Sequence, residues 1–421
     1  MTKPTTIAIL GAGIAGVATA YYLLQQQPHL SVVLIDRQQP LSFTTSKSGE
    51  NFRTYWPQEV MAQFVGHSID LMEGLRRMHG PAAFQMVYSG YQFVSHQRDA
   101  AIFGINHQAA FPVGVEEVTD AAILRAQYPY LDPGIQKMVI CHQAGKIDVY
   151  ALGSLLLREA RQKGLQQITG TVVGVDQLAG QFEIALAGQP AVRADKVVIA
   201  TGPFLNTVGA LFGLQFPILN TLQRKFILPD PQGIIPRDMP FTIYADPQYL
   251  DWTAEEQAFF AEEEGCQWLL DKFPGGLHLK PEGTGIKMGW AFQTAAESPR
   301  WEHPPLDYFP LAVLKGASRF IPQLAAYVSH MPAPVMEYAG YYTRTRENWP
   351  LIGATSLPGV YVVGALAGFG TMAACAAGEL AAQSVLEDPD LPTYAACFHP
   401  NRYHNPAVME KIRAIDLDGQ L

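Results

Sequence analysis

The chain has few cysteines, no run of basic residues and no long uninterrupted apolar stretch, and each absence excludes a class of protein. Its four cysteines, Cys141, Cys266, Cys375 and Cys397, lack the spacing of a metal site or a redox pair, so we expect reduced, buried thiols and no metal centre. A formal net charge of −9 without a basic stretch argues against nucleic acid as a partner. Polar or glycine residues interrupt every candidate membrane segment, so no transmembrane span is expected.

The composition is typical of a well-buried globular protein with more than one domain. At 421 residues the chain exceeds the size at which a single core stops growing. Hydrophobic residues make up 48% and charged residues 16%, which excludes global disorder. Only residues 1–5 precede the first predicted strand, so no secretory or transit segment is expected and the predicted location is the cytoplasm.

A glycine-rich turn near the start of the chain has the sequence context of a dinucleotide-binding site. Residues 7–10 form a short β-prone apolar run, and apolar residues recur at helical spacing over 14–24, so the glycines lie between a strand and a helix. Gly11 permits the tight turn, Gly13 lets the backbone approach a pyrophosphate, and Gly16 lets the helix pack closely on the strand. The N-terminus of that helix then faces the phosphates and favours their negative charge.

An acidic residue at the end of the next strand narrows the choice of dinucleotide. The run 31–35 ends in Asp36, 20 positions after Gly16, where its carboxylate would hold a ribose hydroxyl. An acid there disfavours a 2′-phosphate, so the pattern favours FAD or NAD over NADP. A glycine-rich core turn without a ligand is the alternative, but it does not explain why all these features occur together.

Three later stretches are candidates to complete a ligand site. Residues 42–53 form a polar loop that ends in Arg53, a candidate buried cation beside aromatic residues; an ordinary surface loop is the alternative. The strand-like run 196–200 stops at Thr201-Gly202-Pro203, where glycine allows close approach of a ligand. The block 360–386 is a strand, a glycine-rich turn and a small-residue helix whose dipole would stabilise a reduced flavin ring; plain helix packing is the alternative.

The rest of the chain has a different pattern. Residues 82–94 have the pattern of a hairpin, and residues 216–337 contain strand-like runs separated by proline, glycine and aspartate without a βαβ repeat. We therefore predict two domains of discontinuous sequence. The nucleotide-binding domain comprises residues 1–81, 143–215 and 338–421, and the substrate domain comprises residues 82–142 and 216–337.

Together these motifs resemble the D-amino-acid oxidase, glycine oxidase and sarcosine oxidase superfamily of FAD-dependent oxidoreductases. Four stretches carry the resemblance in the family's order: residues 11–36, 145–148, 200–203 and 350–372. The resemblance implies an α/β fold in which a Rossmann-like FAD-binding domain of the glutathione-reductase type carries an antiparallel-sheet substrate domain. It also implies oxidation of a small amine or amino acid, in which hydride passes to flavin N5 and leaves an imine that water hydrolyses.

The motifs and the resemblance together predict the residues that contact the cofactor. They lie at the two glycine-rich turns, at the strand ends and in the polar loop. The predicted cofactor-binding residues are Gly11, Gly13, Ile14, Ala15, Gly16, Asp36, Arg37, Thr45, Ser46, Ser48, Val173, Thr201, Gly202, Gly368, Phe369, Gly370, Thr371 and Met372.

The chain departs from the family pattern at four positions. Oxidases of the D-amino-acid and glycine type have an arginine where this chain has Tyr342. Sarcosine oxidases have a cysteine that bears the flavin, a histidine and a lysine where this chain has Gly340, Ala291 and Met372. FAD is therefore expected to be non-covalent, and the missing lysine weakens the case for rapid reaction with oxygen. The predicted electron acceptor is O2, a quinone or a carrier protein.

Arg53, Tyr342 and Arg344 are the predicted substrate-site residues. Arg53 is the first choice to pair with a substrate carboxylate, because it stands near the family position where sarcosine oxidases keep an arginine beside the ring. Tyr342 would add a hydroxyl contact, and no general base is evident. The other candidate cations are Arg344, Arg346, Lys280 and Lys287.

Two other functions are weighed against catalysis. The missing family arginine suggests a flavoprotein that acts mainly as an assembly or interaction factor for a redox complex. An NAD-dependent enzyme is less favoured, because the block 350–372 has no role in it.

Overall fold

The computed structural model describes residues 4–107, 110–178 and 180–416 of the chain. The strands found there are β1 (Thr6–Leu10), β2 (Ser31–Asp36), β3 (Asn51–Arg53), β4 (Met86–Val87), β5 (Tyr91–Ser95), β6 (Val115–Val118), β7 (Lys137–Cys141), β8 (Ala144–Ile147), β9 (Gln166–Thr169), β10 (Val172–Leu178), β11 (Gln181–Leu186), β12 (Gln189–Ala194), β13 (Lys196–Ile199), β14 (Leu219–Pro229), β15 (Phe241–Tyr244), β16 (Leu277–Glu282), β17 (Gly285–Gly289), β18 (Met336–Arg344), β19 (Leu351–Ala354) and β20 (Val360–Gly364). The helices are α1 (Ile14–Gln26), α2 (Glu59–His79), α3 (Ala121–Gln127), α4 (Val149–Gln162), α5 (Leu205–Gly209), α6 (Ala254–Glu262), α7 (Phe309–Ala317), α8 (Ala325–Ser329), α9 (Gly370–Leu386), α10 (Ala395–Phe398) and α11 (Pro406–Arg413).

A six-stranded, mostly parallel sheet forms one half of the molecule. Its order is β19-β20-β13-β1-β2-β9, and every neighbouring pair is parallel except β19 with β20. Both faces are buried, which is why the β1 sequence is continuously apolar. Because parallel strands share one carboxyl edge, the turns that follow β1, β2, β13 and β20 meet there. The predicted Rossmann-like domain is confirmed.

Small residues let the two helices that begin at this edge pack against each other. A Cβ built on Gly378 of α9 would lie 2.5 Å from the Cβ of Ala18 in α1, which is closer than two side-chain carbons can approach. The abundance of alanine in α9 is therefore a packing requirement. It fixes the N-termini of α1 and α9 at the same edge of the sheet.

An eight-stranded sheet forms the other half, in the order β18-β14-β17-β16-β15-β5-β7-β6. Its neighbours are antiparallel except β15 with β5. Side chains alternate between the faces of a strand, so one face is apolar and packs in a core with α7. The register places a polar set on the opposite face: Gln223, Lys225, His278, Lys280, Lys287 and Tyr342.

Strand pairing moves one predicted domain boundary. The expected boundary at residue 338 falls inside β18, which pairs with β14 as far as Arg344 and so belongs to the eight-stranded sheet. The predicted boundary followed a motif rather than a strand end. The division into two domains remains a proposal. Within the described residues, every helix is too short or too polar to cross a membrane.

Candidate active site and cofactor cavity

A cavity of ≈ 430 Å³ lies at the carboxyl edge of the six-stranded sheet. It is lined by both glycine-rich turns, by the polar loop and by the strand end at 200–203. We call it the first cavity. The predicted cofactor residues that line it are Gly11, Gly13, Ile14, Ala15, Asp36, Arg37, Thr45, Ser48, Thr201, Gly202, Gly368, Gly370 and Thr371.

Two of the predicted cofactor residues have structural roles instead. A Cβ on Gly16 would lie 2.0 Å from the carbonyl oxygen of Gly11, so Gly16 lets α1 pack on the turn, as expected. Ser46 does not face the cavity, because its Oγ donates to the carbonyl oxygens of Ser42 and Phe43 at 2.8 and 2.7 Å. Its hydroxyl satisfies the backbone of the polar loop.

Val173, Phe369 and Met372 were predicted to contact the cofactor, but the wall of the first cavity does not include them. Val173 is 55% exposed, whereas Val172 lines the first cavity, because consecutive strand residues point to opposite sides. Val173 stays a prediction, and its side chain points away from the first cavity. Phe369 and Met372 contribute to a second cavity, described below.

The glycine-rich turn after β1 has a backbone that only glycine accommodates. Gly11 has φ +106°, and a Cβ there would lie 2.4 Å from the carbonyl oxygen of Ala200. The next residue, Ala12, donates its N–H to Asp36 Oδ2 at 2.7 Å, and Gln38 donates to Asp36 Oδ1 at 2.8 Å. The carboxylate predicted for the ribose is thus held in place at the end of β2.

The polar loop connects the two helix N-termini at the cavity. The Ile14 N–H at the start of α1 donates to Thr45 Oγ1 at 3.1 Å, and the Ser48 hydroxyl lies 2.7 Å from Thr371 Oγ1 at the start of α9. Both helices therefore direct N–H groups and positive dipole ends toward one cavity. This arrangement favours a ligand that is anionic or becomes so.

A tryptophan between β17 and α7 lies on the wall of the first cavity, and no sequence pattern predicted its role there. Trp301 stacks on Phe204 with ring centroids 4.3 Å apart. The Arg37 guanidinium lies 4.4 Å from the centroid of the same tryptophan ring. Arg37 thus holds the wall of the cavity through a cation–π contact.

A second, smaller cavity of ≈ 110 Å³ adjoins the first beneath the polar face of the eight-stranded sheet. The residues on its wall come from β3, β5, β14, β15, β16, β17, β18, the start of α9 and the loops between these elements. The two cavities have five residues in common: Ser48, Gly49, Lys225, Tyr342 and Gly368.

Arg53 lies on the wall of the second cavity, in the aromatic setting that the sequence indicated. It is 7% exposed, and its guanidinium carbon is 4.5 Å from the ring centroids of both Trp56 and Phe103. Arg344, by contrast, lies at the end of β18 opposite Leu219, and the described walls of both cavities omit it. Arg346 is exposed. Of the three arginines, the structure brings only Arg53 to the candidate active site.

Tyr342 stands where the two cavities meet. A Cβ on Gly368 would lie 2.6 Å from Tyr342 Cζ, so the tyrosine ring fits only because that residue is glycine. Burial raises the pKa of Tyr342 to about 12, so its hydroxyl stays protonated at neutral pH. It is therefore a neutral hydrogen-bond donor.

His278 is a site residue that the sequence reasoning missed. Its Nδ1 is 2.9 Å from the carbonyl oxygen of Gly276, so Nδ1 carries the hydrogen and Nε2 is left as an acceptor. Burial, together with the nearby Lys225 ammonium, lowers the pKa of His278 to about 4. The second cavity thus contains a neutral imidazole among cations.

The family model described as FAD dependent oxidoreductase, DAO, matches residues 6–384 of the chain. The chain belongs to the DAO family. This family member is similar in structure to L-proline dehydrogenase from P. horikoshii, with a TM-score of 0.75, 20% identity, and coverage of 96% of this chain and 99% of that one. It is also similar to glycine oxidase from Geobacillus kaustophilus, with a TM-score of 0.71, 16% identity, and coverage of 94% and 98%.

A third similar structure is iminodiacetate oxidase from Chelativorans sp. BNC1. Its TM-score is 0.69, its identity 18%, and the coverage is 94% of this chain and 98% of that one. At such identities the similarity shows a common fold. No curated protein matches the sequence significantly.

FAD is the cofactor of this DAO-family oxidoreductase, and the first cavity fits it. Three buried polar atoms on its wall have no hydrogen-bond partner among the described residues: Thr44 Oγ1, Thr201 Oγ1 and Gln223 Oε1. Leaving such a group unsatisfied costs about 1–3 kcal/mol, so these atoms suit a ligand rich in polar groups. Gly11, where a Cβ would collide with the Ala200 carbonyl oxygen, also lies on this wall.

The lowered pKa of His278 predicts a pH-dependent stability. In the unfolded chain His278 takes up a proton near pH 6.5, whereas in the folded protein it does so only near pH 4. The unfolded state therefore binds more protons between these values, and the free energy of unfolding should fall as the pH drops from 6.5 to 4. We expect His278→Gln to remove about 2–3 kcal/mol of that fall. Denaturant unfolding at pH 4–7 measures it, with exposed His29→Gln as the control. Equal pH profiles for wild type and His278→Gln would contradict the assignment.

Proposed function

We propose that the protein oxidises the C–N bond of a small amine or amino acid bound in the second cavity. The observation that carries this proposal is the position of that cavity, which opens on the first and shares five wall residues with it. A substrate there would be adjacent to the FAD cavity. The names of the similar structures, a proline dehydrogenase, a glycine oxidase and an iminodiacetate oxidase, support a substrate of this class.

In this proposal the chain binds and orients the substrate. Arg53 pairs with a carboxylate, and the Tyr342 hydroxyl donates a second hydrogen bond. The neutral His278 Nε2 accepts a hydrogen bond from the substrate nitrogen. FAD, when bound, supplies the redox chemistry by accepting a hydride at N5 from the carbon that bears the nitrogen, and the product is an imine.

We further propose that FAD is held without a covalent bond. All four cysteines lie in the described part of the chain and are buried, and they are absent from the walls of both cavities. Gly340, at the position of the flavin-bearing cysteine of sarcosine oxidases, does line the first cavity. The acceptor is O2, a quinone or a carrier protein. Met372, in place of a family lysine, lines the second cavity and weakens the case for O2.

A flavoprotein that acts mainly as an assembly or interaction factor is the second candidate. Such a role needs no substrate-sized cavity beside the cofactor. The second cavity, with a buried arginine and a neutral histidine on its wall, favours catalysis.

Anaerobic visible absorbance of the purified flavoprotein tests the proposal. Sarcosine, dimethylglycine, proline and both enantiomers of common amino acids, including the acidic ones, are added in turn. We expect at least one to bleach the flavin band. If dithionite bleaches the flavin and none of these compounds does, the proposal fails and the assembly role is favoured.

A further inference from the structure

Three lysines from neighbouring strands converge on the second cavity. Lys225 is on β14, Lys287 on β17 and Lys280 on β16, and the register puts all three on the same face of the eight-stranded sheet. Lys280 and Lys287 are direct cross-strand partners. Like charges in that arrangement are destabilising, so the placement needs a compensating reason.

Carboxylates nearby balance only part of this charge. Lys287 Nζ lies 3.2 Å from Glu282 and 3.7 Å from Glu50, and Lys280 Nζ lies 3.6 Å from Glu282. Lys280 also donates to the carbonyl oxygen of Gly49 at 2.7 Å. Glu50 and Glu282 thus serve two of the lysines.

Lys225 has no such partner. Among the described residues no carboxylate lies within 4.0 Å of its ammonium, and the charges that act on it most are those of Lys287 and Lys280. Burial and this repulsion lower the pKa of Lys225 to about 8, and burial with the Lys287 charge does the same for Lys280. The ammonium points to the junction of the two cavities, with the Tyr342 ring centroid 5.8 Å away.

The charge on this wall exceeds what a substrate with one carboxylate would neutralise. The three lysines face two carboxylates, Glu50 and Glu282, so one positive charge is in excess besides that of Arg53, to which the proposed function assigns a substrate carboxylate. His278 adds none, because it is neutral at pH 7. Lys280 and Lys287 do not serve the diphosphate of FAD, since they contribute to the second cavity and not to the first.

We propose that the substrate is a dicarboxylic amino acid or N-substituted amino acid, with one carboxylate on Arg53 and the other on Lys225 and Lys280. The inference rests on the proposed function and narrows it to a dianionic substrate. Arg53 for one carboxylate and the one excess lysine charge for the other match such a ligand. A substrate with one carboxylate would leave the Lys225 ammonium without a counter-charge.

Matched pairs of ligands that differ by one charge test the inference. The first pair is glutarate and its monoamide, which bind without reacting because neither has a C–N bond α to a carboxylate. Each is titrated into the oxidised flavoprotein, and binding is followed by the change in the flavin spectrum. Glutamate with glutamine, aspartate with asparagine, and iminodiacetate with sarcosine are compared as reductants under anaerobic conditions. We expect at least one dicarboxylate to bind or react at least about 10-fold better than its partner, equivalent to about 1.4 kcal/mol.

Variants of Lys225 test whether this lysine causes the preference for dicarboxylates. Lys225→Met should lower the glutarate-to-monoamide affinity ratio by about 10-fold, whereas Lys225→Arg, which keeps the charge, should retain most of it. Exposed Lys272→Met is the control and should leave the ratio unchanged. If the Lys225→Met protein loses FAD, the comparison of matched ligands in the wild-type protein still tests whether the substrate is dianionic.

The outcomes separate the two proposals. If amino acids with one carboxylate reduce the flavin as well as their dicarboxylic partners do, the proposed function stands and the dianionic substrate is refuted. If glutarate binds selectively and no amine or amino acid reduces the flavin, the anion site stands and the proposed function is refuted.

Discussion

Replacing Gly11 by alanine is expected to yield a protein that purifies almost free of FAD. At φ +106° an alanine is strained by about 1–2 kcal/mol, and its Cβ would lie 2.4 Å from the Ala200 carbonyl oxygen. The collision is with backbone, so the turn after β1 must move away from β13. Both segments line the FAD cavity, and we expect FAD affinity to fall by at least about 10-fold.

Two measurements check this prediction against a matched control. The ratio of flavin absorbance to protein after gel filtration gives the FAD content, and the increase in Tm on adding FAD reports binding to the folded state. Gly233→Ala is the control, because Gly233 also has a positive φ, +63°, but no neighbour within 4 Å of a built Cβ. A Gly11→Ala protein with full FAD content and a normal Tm increase would show that the turn tolerates a side chain.

Replacing Arg53 by methionine is expected to leave FAD bound and to reduce kcat/KM by about 100-fold or more. Methionine keeps an apolar chain against Trp56 and Phe103 but removes the charge that would pair with the substrate carboxylate. Truncating one partner of a buried charge pair costs about 2–5 kcal/mol, which corresponds to roughly 30- to 5000-fold. Anaerobic flavin reduction, with the substrate that the amine screen identifies, measures the loss.

The control for Arg53 is Arg346→Met, because Arg346 is an exposed arginine in the same chain. It should keep both FAD content and kcat/KM. Unchanged kinetics in Arg53→Met would remove Arg53 from the substrate site. Lost FAD in that variant would instead indicate that Arg53 maintains the cofactor cavity.

The glycine-rich turns that line the first cavity could be predicted because their determinants are local in sequence. Gly11, Gly13 and Asp36 lie within one strand–helix–strand unit. The local backbone geometry of that unit requires a residue of this type at each of these positions. The same holds for the turn that leads into α9. At Val172 and Val173 the strand pattern gives the alternation of side chains but not which of the two faces the cavity, and the structure places Val172 on its wall.

The substrate site was harder to predict because it depends on contacts between distant strands. The alternation of His278 with Lys280 shows that they share a face, but no local pattern shows that Lys225, more than fifty residues earlier, belongs to the same surface. Arg344 was also predicted as a substrate-site residue, after Arg53, and lies outside both cavities. The order of strands in the eight-stranded sheet decides between such candidates.

The hydrogen bond between Ser48 and Thr371 has a consequence for the order of events during synthesis. The two residues are 323 positions apart in the sequence. Thr371 lies in the first turn of α9, and α9 packs on α1. The cavity wall is therefore incomplete until the ribosome has released the segment through Leu386. FAD capture is thus a late step in biogenesis, and a prematurely terminated chain exposes the unfinished edge of the six-stranded sheet.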